Sequence, residues 1–266
     1  MADTVLYELT DGLATVTINR PEAMNALDTP TKVALRDAMV TAKEDPAVRA
    51  VLLTGAGDRA FCVGQDLKEH LGKLAAARDG GDAPLSTVRD HYNPLVTAIA
   101  TMRKPVVAAV NGVAAGAGAG LAWACDFRIL ADHSGFNTSF AGVALTADSG
   151  ASWTLPRLVG QAKAAELLMF PQTVPAAEAL ALGLAHRVVP AAELAATALA
   201  FARTLAAGPT VAYGAIKESL AYGASHGLVE TLEKEDELQT VAGASADHWI
   251  AVQAFVAKQK PDYVGR

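Results

Sequence analysis

PVVAAVNGVAAGAGAGLAWAC, residues 105–125, is the stretch on which the fold turns. It carries no charge and is long enough to span a bilayer as one helix. Gly112, Gly116 and Gly120 even repeat at the spacing that packs membrane helices. Two features oppose that reading: Asn111-Gly112 is a turn dipeptide, and glycines are poor helix formers. The run therefore divides into a buried strand, Pro105 to Val110, and a glycine-rich loop. If strand, loop and helix recur along the chain, a layered α/β core follows.

They do recur. Downstream, Phe127 to Ala131 and Phe136 to Ser139 read as strands. Upstream, Ala50 to Thr54 is a short apolar run that ends at Gly55-Ala56-Gly57, a buried strand and its exit loop. Asp28 or Thr29 followed by Pro30 opens a helix that runs to about Glu44. Leu67 to Ala77 reads as a helix, and Arg78 to Pro84 as a loop of mobile composition. Ser86 can cap a further helix that ends near Thr101, before Lys104-Pro105. At the start, Val5 to Glu8 and Ala14 to Ile18 flank Asp11-Gly12, a hairpin signal. From about Pro190 onward only helices are predicted, with breaks at Gly208-Pro209 and Gly223 to Gly227. The chain thus divides into a core, 1–190, and a helical region, 191–266.

Composition narrows the function classes. With 266 residues the size of the core is not limiting, and 52% hydrophobic with 19% charged residues describes a globular protein. A net charge of -6 argues against a general nucleic-acid surface, while leaving room for local basic residues that grip a phosphorylated ligand. Cys62 and Cys125 form neither a disulfide framework nor a CxxC pair, so a cytoplasmic setting is the simplest expectation. The segment MADTVLYELT has no basic and then apolar pattern of a signal peptide. The six histidines show no HxxH or HExxH spacing, so no metal site is expected. No G-x-S-x-G elbow is present, which lowers a serine hydrolase reading.

Three stretches can carry chemistry. Phe61-Cys62-Val63-Gly64-Gln65-Asp66-Leu67-Lys68 is a turn that feeds a helix, where outward N–H groups favour an oxygen with negative charge. Its plain reading is a tight turn at Gly64 with Asp66 as the helix cap. In Asn111 to Gly120, small residues let a ligand approach the backbone, or let a helix pack tightly. A dinucleotide fingerprint on Gly116 and Gly118 fails because Leu121 stands where a third small residue is needed, and no P-loop Gly-Lys-Ser/Thr follows. In Leu145 to Arg157, Asp148 can cap a helix, or can be a base in an apolar pocket lined by Phe136, Phe140 and Trp153. Desolvation would then raise its pKa toward that of a working base.

Taken in order, these stretches resemble the crotonase superfamily, the enoyl-CoA hydratase/isomerase family. The likeness covers nearly the whole chain and rests on Asn19 to Leu27 (NRPEAMNAL), Phe61 to Lys68, Pro105 to Asp126, Leu155 to Gly160, and Ala254 to Lys258 with Pro261. The resemblance implies an α/β fold, a spiral of ββα turns followed by a C-terminal helical trimerisation region, and a homotrimer or homohexamer. It implies an acyl-CoA thioester as substrate, no cofactor beyond the coenzyme A moiety of that substrate, and neither a nucleic-acid nor a membrane partner. Two oxyanion-hole N–H donors fall on Gln65 and Ala117. Coenzyme A contacts fall on Ala23 and Met24, on Val63, Gln65, Asp66, Leu67 and Lys68, and on Phe255 and Lys258, the last two reaching a neighbouring subunit.

The departures from the family pattern are informative. Hydratases of the family hold two glutamates, at positions that are Gly120 and Phe140 here. Adding water needs one group to activate it and one to deliver a proton, so ordinary hydration is not expected. The change Gly120→Glu with Phe140→Glu is expected to raise hydration only if the packing admits both carboxylates. Asp148 falls where isomerases of the family keep a single acid. His91 to Leu95 (HYNPL), Asn111 to Gly118 and Ser245-Ala246-Asp247 fit the ring-epoxide isomerase subgroup. The expected activity is an acyl-CoA isomerase using Asp148, on a ring-epoxide or 3-enoyl thioester. A hydratase with atypical acid and base groups, or a silent acyl-CoA-binding protein, is the alternative.

Overall fold

The computed structural model describes residues 3–78 and 85–266. The chain begins as a hairpin, β1 (Val5–Thr10) and β2 (Leu13–Ile18), whose turn places Asp11 and Gly12 at φ 51° and 79°. Both are residue types that tolerate positive φ, as a two-residue hairpin requires. Asp28 then caps α1 (Thr29–Glu44), its Oδ1 accepting the Thr31 N–H at 3.0 Å. Strand β3 (Ala50–Gly55) and the short β4 (Ala60–Cys62) lead into α2 (Leu67–Arg78). The loop read at Arg78 to Pro84 lies, beyond Arg78, outside the described residues.

Helical conformation resumes at Ser86 itself, so Ser86 lies within the first turn rather than ahead of it. A π-helical turn, Val88–Tyr92, precedes α3 (Asn93–Thr101). The 105–125 run then resolves as β5 (Val106–Val110), β6 (Val113–Ala115) and α4 (Ala117–Ala124). Next come β7 (Phe127–Ala131), β8 (Gly135–Asn137), α5 (Ala151–Val159), α6 (Gln161–Met169), β9 (Thr173–Pro175), α7 (Ala176–Ala181) and β10 (Arg187–Val189). Four helices complete the chain: α8 (Ala191–Ala206), α9 (Thr210–Gly223), α10 (Leu228–Gly243) and α11 (Ala246–Val256). Among the described residues no single helix is long and apolar enough to cross a membrane.

Two sheets organise these elements. The larger runs β1-β2-β3-β5-β7-β10, antiparallel at the hairpin and parallel from β2 on. The smaller runs β4-β6-β8-β9, parallel through β8. Each of β3–β4, β5–β6 and β7–β8 steps from the large sheet to the small one, and the first two pairs then feed a helix. Stacking these steps makes the ββα spiral. One face of the large sheet packs on α1 and α3 in the main core, which includes Leu35, Met39, Leu53, Leu95 and Ile99. The other face receives α8, where Leu194, Ala198, Ala202 and Ala206 repeat every four residues against Leu52, Val107 and Ile129. The alanines let the helix approach the strands closely.

Beyond α8 the regular structure is all helical and ends at Val256, with the last residues continuing beyond it. α9 and α10 pair with each other, and Ser245 caps α11 by accepting the His248 N–H. Buried Asp247 accepts the N–H groups of Val264 (2.7 Å) and Gly265 (3.0 Å), tying the last residues to α11. This region exposes large apolar side chains, among them Leu228, Leu232, Trp249, Phe255 and Val256.

Candidate active site

The steps between the sheets place two helix starts side by side. Leaving β4, the chain turns through Gly64, at φ 80°, where a Cβ would lie 2.9 Å from the Ala115 carbonyl oxygen and 3.0 Å from Ala117 N. Only glycine fits both the angle and the approach. The turn is pinned from behind: Gly64 O accepts the Leu27 N–H (2.7 Å), and the Asp66 N–H donates to Leu27 O (3.1 Å). Between these bonds the Gln65 N–H has no acceptor among the described residues. Ala117 opens α4, and its N–H has none either. A Cβ at Gly118 would run into the Cys62 carbonyl oxygen, so α4 is pressed against β4. Two unsatisfied donors at helix starts form a site for an oxygen gaining negative charge.

Asp66 serves the plain role as well. Its Oδ1 accepts the N–H groups of Lys68 and Glu69, capping α2, and its Oδ2 accepts from Arg20 at 3.1 Å. Arg20 also pairs with Asp28. Its backbone is engaged too, the N–H with Leu27 O and the carbonyl oxygen with the His70 N–H.

Asp148 lies in the loop before α5, and the structure removes its capping role. Gly150, at φ 74°, is the N-cap residue of α5, with no side-chain cap bond. Among the described residues, the Asp148 carboxylate accepts from the Ser149 hydroxyl alone (2.9 Å). Burial raises its pKa, and the Ser149 bond and the charge of Lys32 only moderate that rise. A desolvated carboxyl with a spare oxygen has the character of a proton carrier.

Phe140 is buried. At Gly120 a Cβ would sit 2.8 Å from both Cβ and O of Ser149, so no side chain is admitted there without displacing backbone. The packing thus does not admit the carboxylate at 120 that the paired change requires. Of the lining expected around Asp148, Phe136 is buried against Trp123, but Trp153 is 48% exposed with Arg157 stacked on its ring. Its position on α5 turns it to solvent.

Ala23 and Met24 form the short 3-10 turn and its left-handed end, just before the Leu27 clamp. Leu67 and Lys68 are exposed on the first turn of α2, and Val63 is half-buried. Phe255 and Lys258 lie at the end of α11, exposed, and within one chain α11 packs on α10.

Sequence reading missed a cluster behind the Gln65 turn. Lys32 is fully buried on α1, and its Nζ donates to Gln65 Oε1 (2.8 Å) and Thr87 Oγ1 (2.9 Å). The Tyr92 hydroxyl donates to the same Gln65 oxygen at 3.0 Å. Burial lowers the Lys32 pKa to about 8. Burial, with the charge of Asp148, raises that of Tyr92. A signal was present: Lys32 occupies the stripe Lys32, Leu35, Met39, Ala42 that helical periodicity turns inward.

Comparison with known proteins meets this geometry. The Enoyl-CoA hydratase/isomerase family matches residues 8–266. The chain belongs to that family. A Rhodobacter capsulatus relative bearing the name "Probable enoyl-CoA hydratase" is 42% identical, over 99% of this chain and 98% of its own. The 1,2-epoxyphenylacetyl-CoA isomerase of Escherichia coli K12 is 38% identical over the full length of both. The crystal structure of an enoyl-CoA hydratase from Bacillus anthracis superposes with a TM-score of 0.90, at 30% identity, covering 99% of this chain and 100% of that one. As a member of the enoyl-CoA hydratase/isomerase family, the protein is of a kind that acts on acyl-CoA, and its relatives include both hydratases and isomerases.

Proposed function

We propose that the protein is an acyl-CoA isomerase in which Asp148 carries one proton between two carbons. The supporting observation is the Asp148 carboxyl itself, half-buried, released from helix capping, and bonded to one hydroxyl. On a 3-enoyl thioester the carboxylate removes a proton from C2. The electron pair moves into a dienolate, and the Gln65 and Ala117 N–H groups hold its oxygen. The same carboxyl then returns the proton to C4, and the double bond has moved from C3–C4 to C2–C3 with no atom gained or lost. Preorganised donors of this kind contribute about 3 to 4 kcal/mol each. Ring-epoxide CoA thioesters are the second substrate class, on the strength of the Escherichia coli relative.

Coenzyme A would lie along Ala23, Met24 and Val63 to Lys68, with Phe255 and Lys258 supplied by a neighbouring subunit of a homotrimer or homohexamer. The exposed apolar side chains of α10 and α11 support that assembly.

The names of two relatives favour hydration as a second reading. Hydration needs another acid or base, and Glu69 is the carboxylate beside Lys32, 4.0 Å away. Although burial alone would raise its pKa, hydrogen bonds from Lys73 and Thr29 overcome this and bring Glu69 to about 2. So strongly acidic a group is a poor base near neutrality.

The test is Asp148→Asn, assayed with 3-enoyl- and ring-epoxide CoA thioesters. Isomerisation is expected to fall by about 100- to 10,000-fold while CoA affinity stays unchanged. Activity within a few-fold of wild type would overturn the role of Asp148.

A further inference from the structure

A lysine is an odd occupant for the inward stripe of α1. Methionine or leucine would fill the volume without taking a charge out of water, and a buried ammonium is tolerated only where hydrogen bonds replace its hydration. Lys32 has those bonds, and their placement is specific. One goes to the side-chain oxygen of Gln65, the residue whose main-chain N–H is an acceptor-free donor of the candidate oxyanion site. Tyr92 Oη, from the π-helical turn, reaches the same oxygen. A second Lys32 bond goes to Thr87 Oγ1, which also contacts His91 Nδ1 at 3.1 Å. π-helical turns of this kind are frequent at functional sites.

We propose that Lys32 is a positioning residue for the reaction, locking the Gln65 turn through its side chain and placing a cation behind the oxygen on which the enolate charge develops. This rests on the proposed enolate chemistry. As a proton moves onto Asp148, negative charge moves from that carboxylate to the oxygen held beside Gln65. The charge of Lys32 also steadies the Asp148 carboxylate, but among the described residues it makes no ion pair with it, whereas Lys32 is bonded directly to Gln65, so the balance favours the charge in its second position.

The charged and titratable groups around the ammonium fit this role. From the α1 cap comes Asp28, from the turn Asp66, from α2 Glu69 and Lys73, from the π-helical turn Tyr92 and His91, the latter also under the charge of Arg36 on α1, and from the loop before α5 Asp148. Glu69 is 4.0 Å from Lys32 but 2.7 Å from Lys73, to which it is principally committed. Lys32 is thus left with partial compensation, and burial together with Lys73 brings it to about 8, so its charge is nearly complete at neutral pH and lost in mildly alkaline solution.

The experiment uses acetoacetyl-CoA, whose enolate has its own ultraviolet absorbance, bound at saturation to the full-length protein across a pH series. Lys32→Met should raise the pH at which the bound ligand enolises by about one unit, a tenfold loss of enolate at fixed pH. Lys32→Arg, which keeps the charge, should recover part of that loss. Affinity for butanoyl-CoA, which does not enolise in this range, should be unchanged, and kcat for isomerisation should fall with KM retained. Should the methionine variant not fold, Lys32→Gln, neutral but able to bond Gln65 and Thr87, carries the same expected direction. An unchanged enolate absorbance in a folded neutral variant overturns the proposal. Failure of the wild type to isomerise any thioester would overturn the reaction reading instead, while the absorbance measurement, which needs no turnover, still decides on Lys32.

Discussion

Replacing Lys32 with methionine should alter how folding stability depends on pH. In the unfolded chain the lysine titrates near 10.5, and in the folded protein near 8. Between these values the folded state binds fewer protons than the unfolded one, so stability rises with pH. Equivalently, the penalty for burying the charge is fully present below about 8 and relieved above it. Lys32 is completely buried, so the gap converts to about 3 kcal/mol over the full window, and to about 2 kcal/mol between pH 7 and about pH 9.5. The assay is urea unfolding of wild type and Lys32→Met at both pH values, at one protein concentration because assembly contributes to stability. Wild type should gain about 2 kcal/mol relative to the variant on going to the higher pH. A difference between the two proteins that stays constant within about 0.5 kcal/mol would refute the reasoning, since Lys32 would then titrate alike in both states.

Further consequences are as direct. Gly120→Ala should cost about 1–3 kcal/mol in thermal or urea unfolding, because its Cβ meets the Ser149 backbone; an unchanged midpoint would contradict that packing. Gly120→Glu with Phe140→Glu should therefore destabilise the protein without raising crotonyl-CoA hydration, and a gain in hydration would contradict it. In kcat/KM profiles the acid limb should titrate above the ordinary aspartate range, since burial raises Asp148 and only its ionised form takes a proton; activity is lost as pH falls through that raised value. An acid limb at the ordinary value would remove Asp148 as the base. Sedimentation should show a trimer or hexamer, and a monomer with full CoA affinity would remove the shared-site role of Phe255 and Lys258.

What the sequence made legible is what local pattern encodes. The strand Pro105 to Val110 and the break at Asn111-Gly112 are legible because a turn dipeptide acts over a few residues, whereas the glycine-rich part that reads as a loop forms β6 and α4. Asp28 before Pro30 likewise located the start of α1. The two donor positions, Gln65 and Ala117, came with the family resemblance, and the structure brings their turns together across Gly64. Lys32 escaped because its partners, Gln65 and Thr87, are 33 and 55 residues away, beyond the reach of any local period. For Asp148, sequence left cap and base open. Only the placement of Gly150 as the cap residue decides against the cap, and that depends on the left-handed turn at Ser149-Gly150. Trp153 was expected to line the pocket from its nearness to Asp148 along the chain, whereas its outward direction is set by how α5 packs on α4 and α6.

The central claim is that one carboxyl recycles one proton, and two rates measured on a single preparation test it most directly. Crotonyl-CoA hydration is followed by a mass gain of one water, and isomerisation of 3-enoyl- and ring-epoxide CoA thioesters by altered retention at unchanged mass. With neither hydratase glutamate present, hydration should be slower than the best isomerisation by several orders of magnitude, at about 100- to 10,000-fold for each missing group. Hydration as fast as every isomerisation tried would contradict the account and require an acid and base pair other than Asp148.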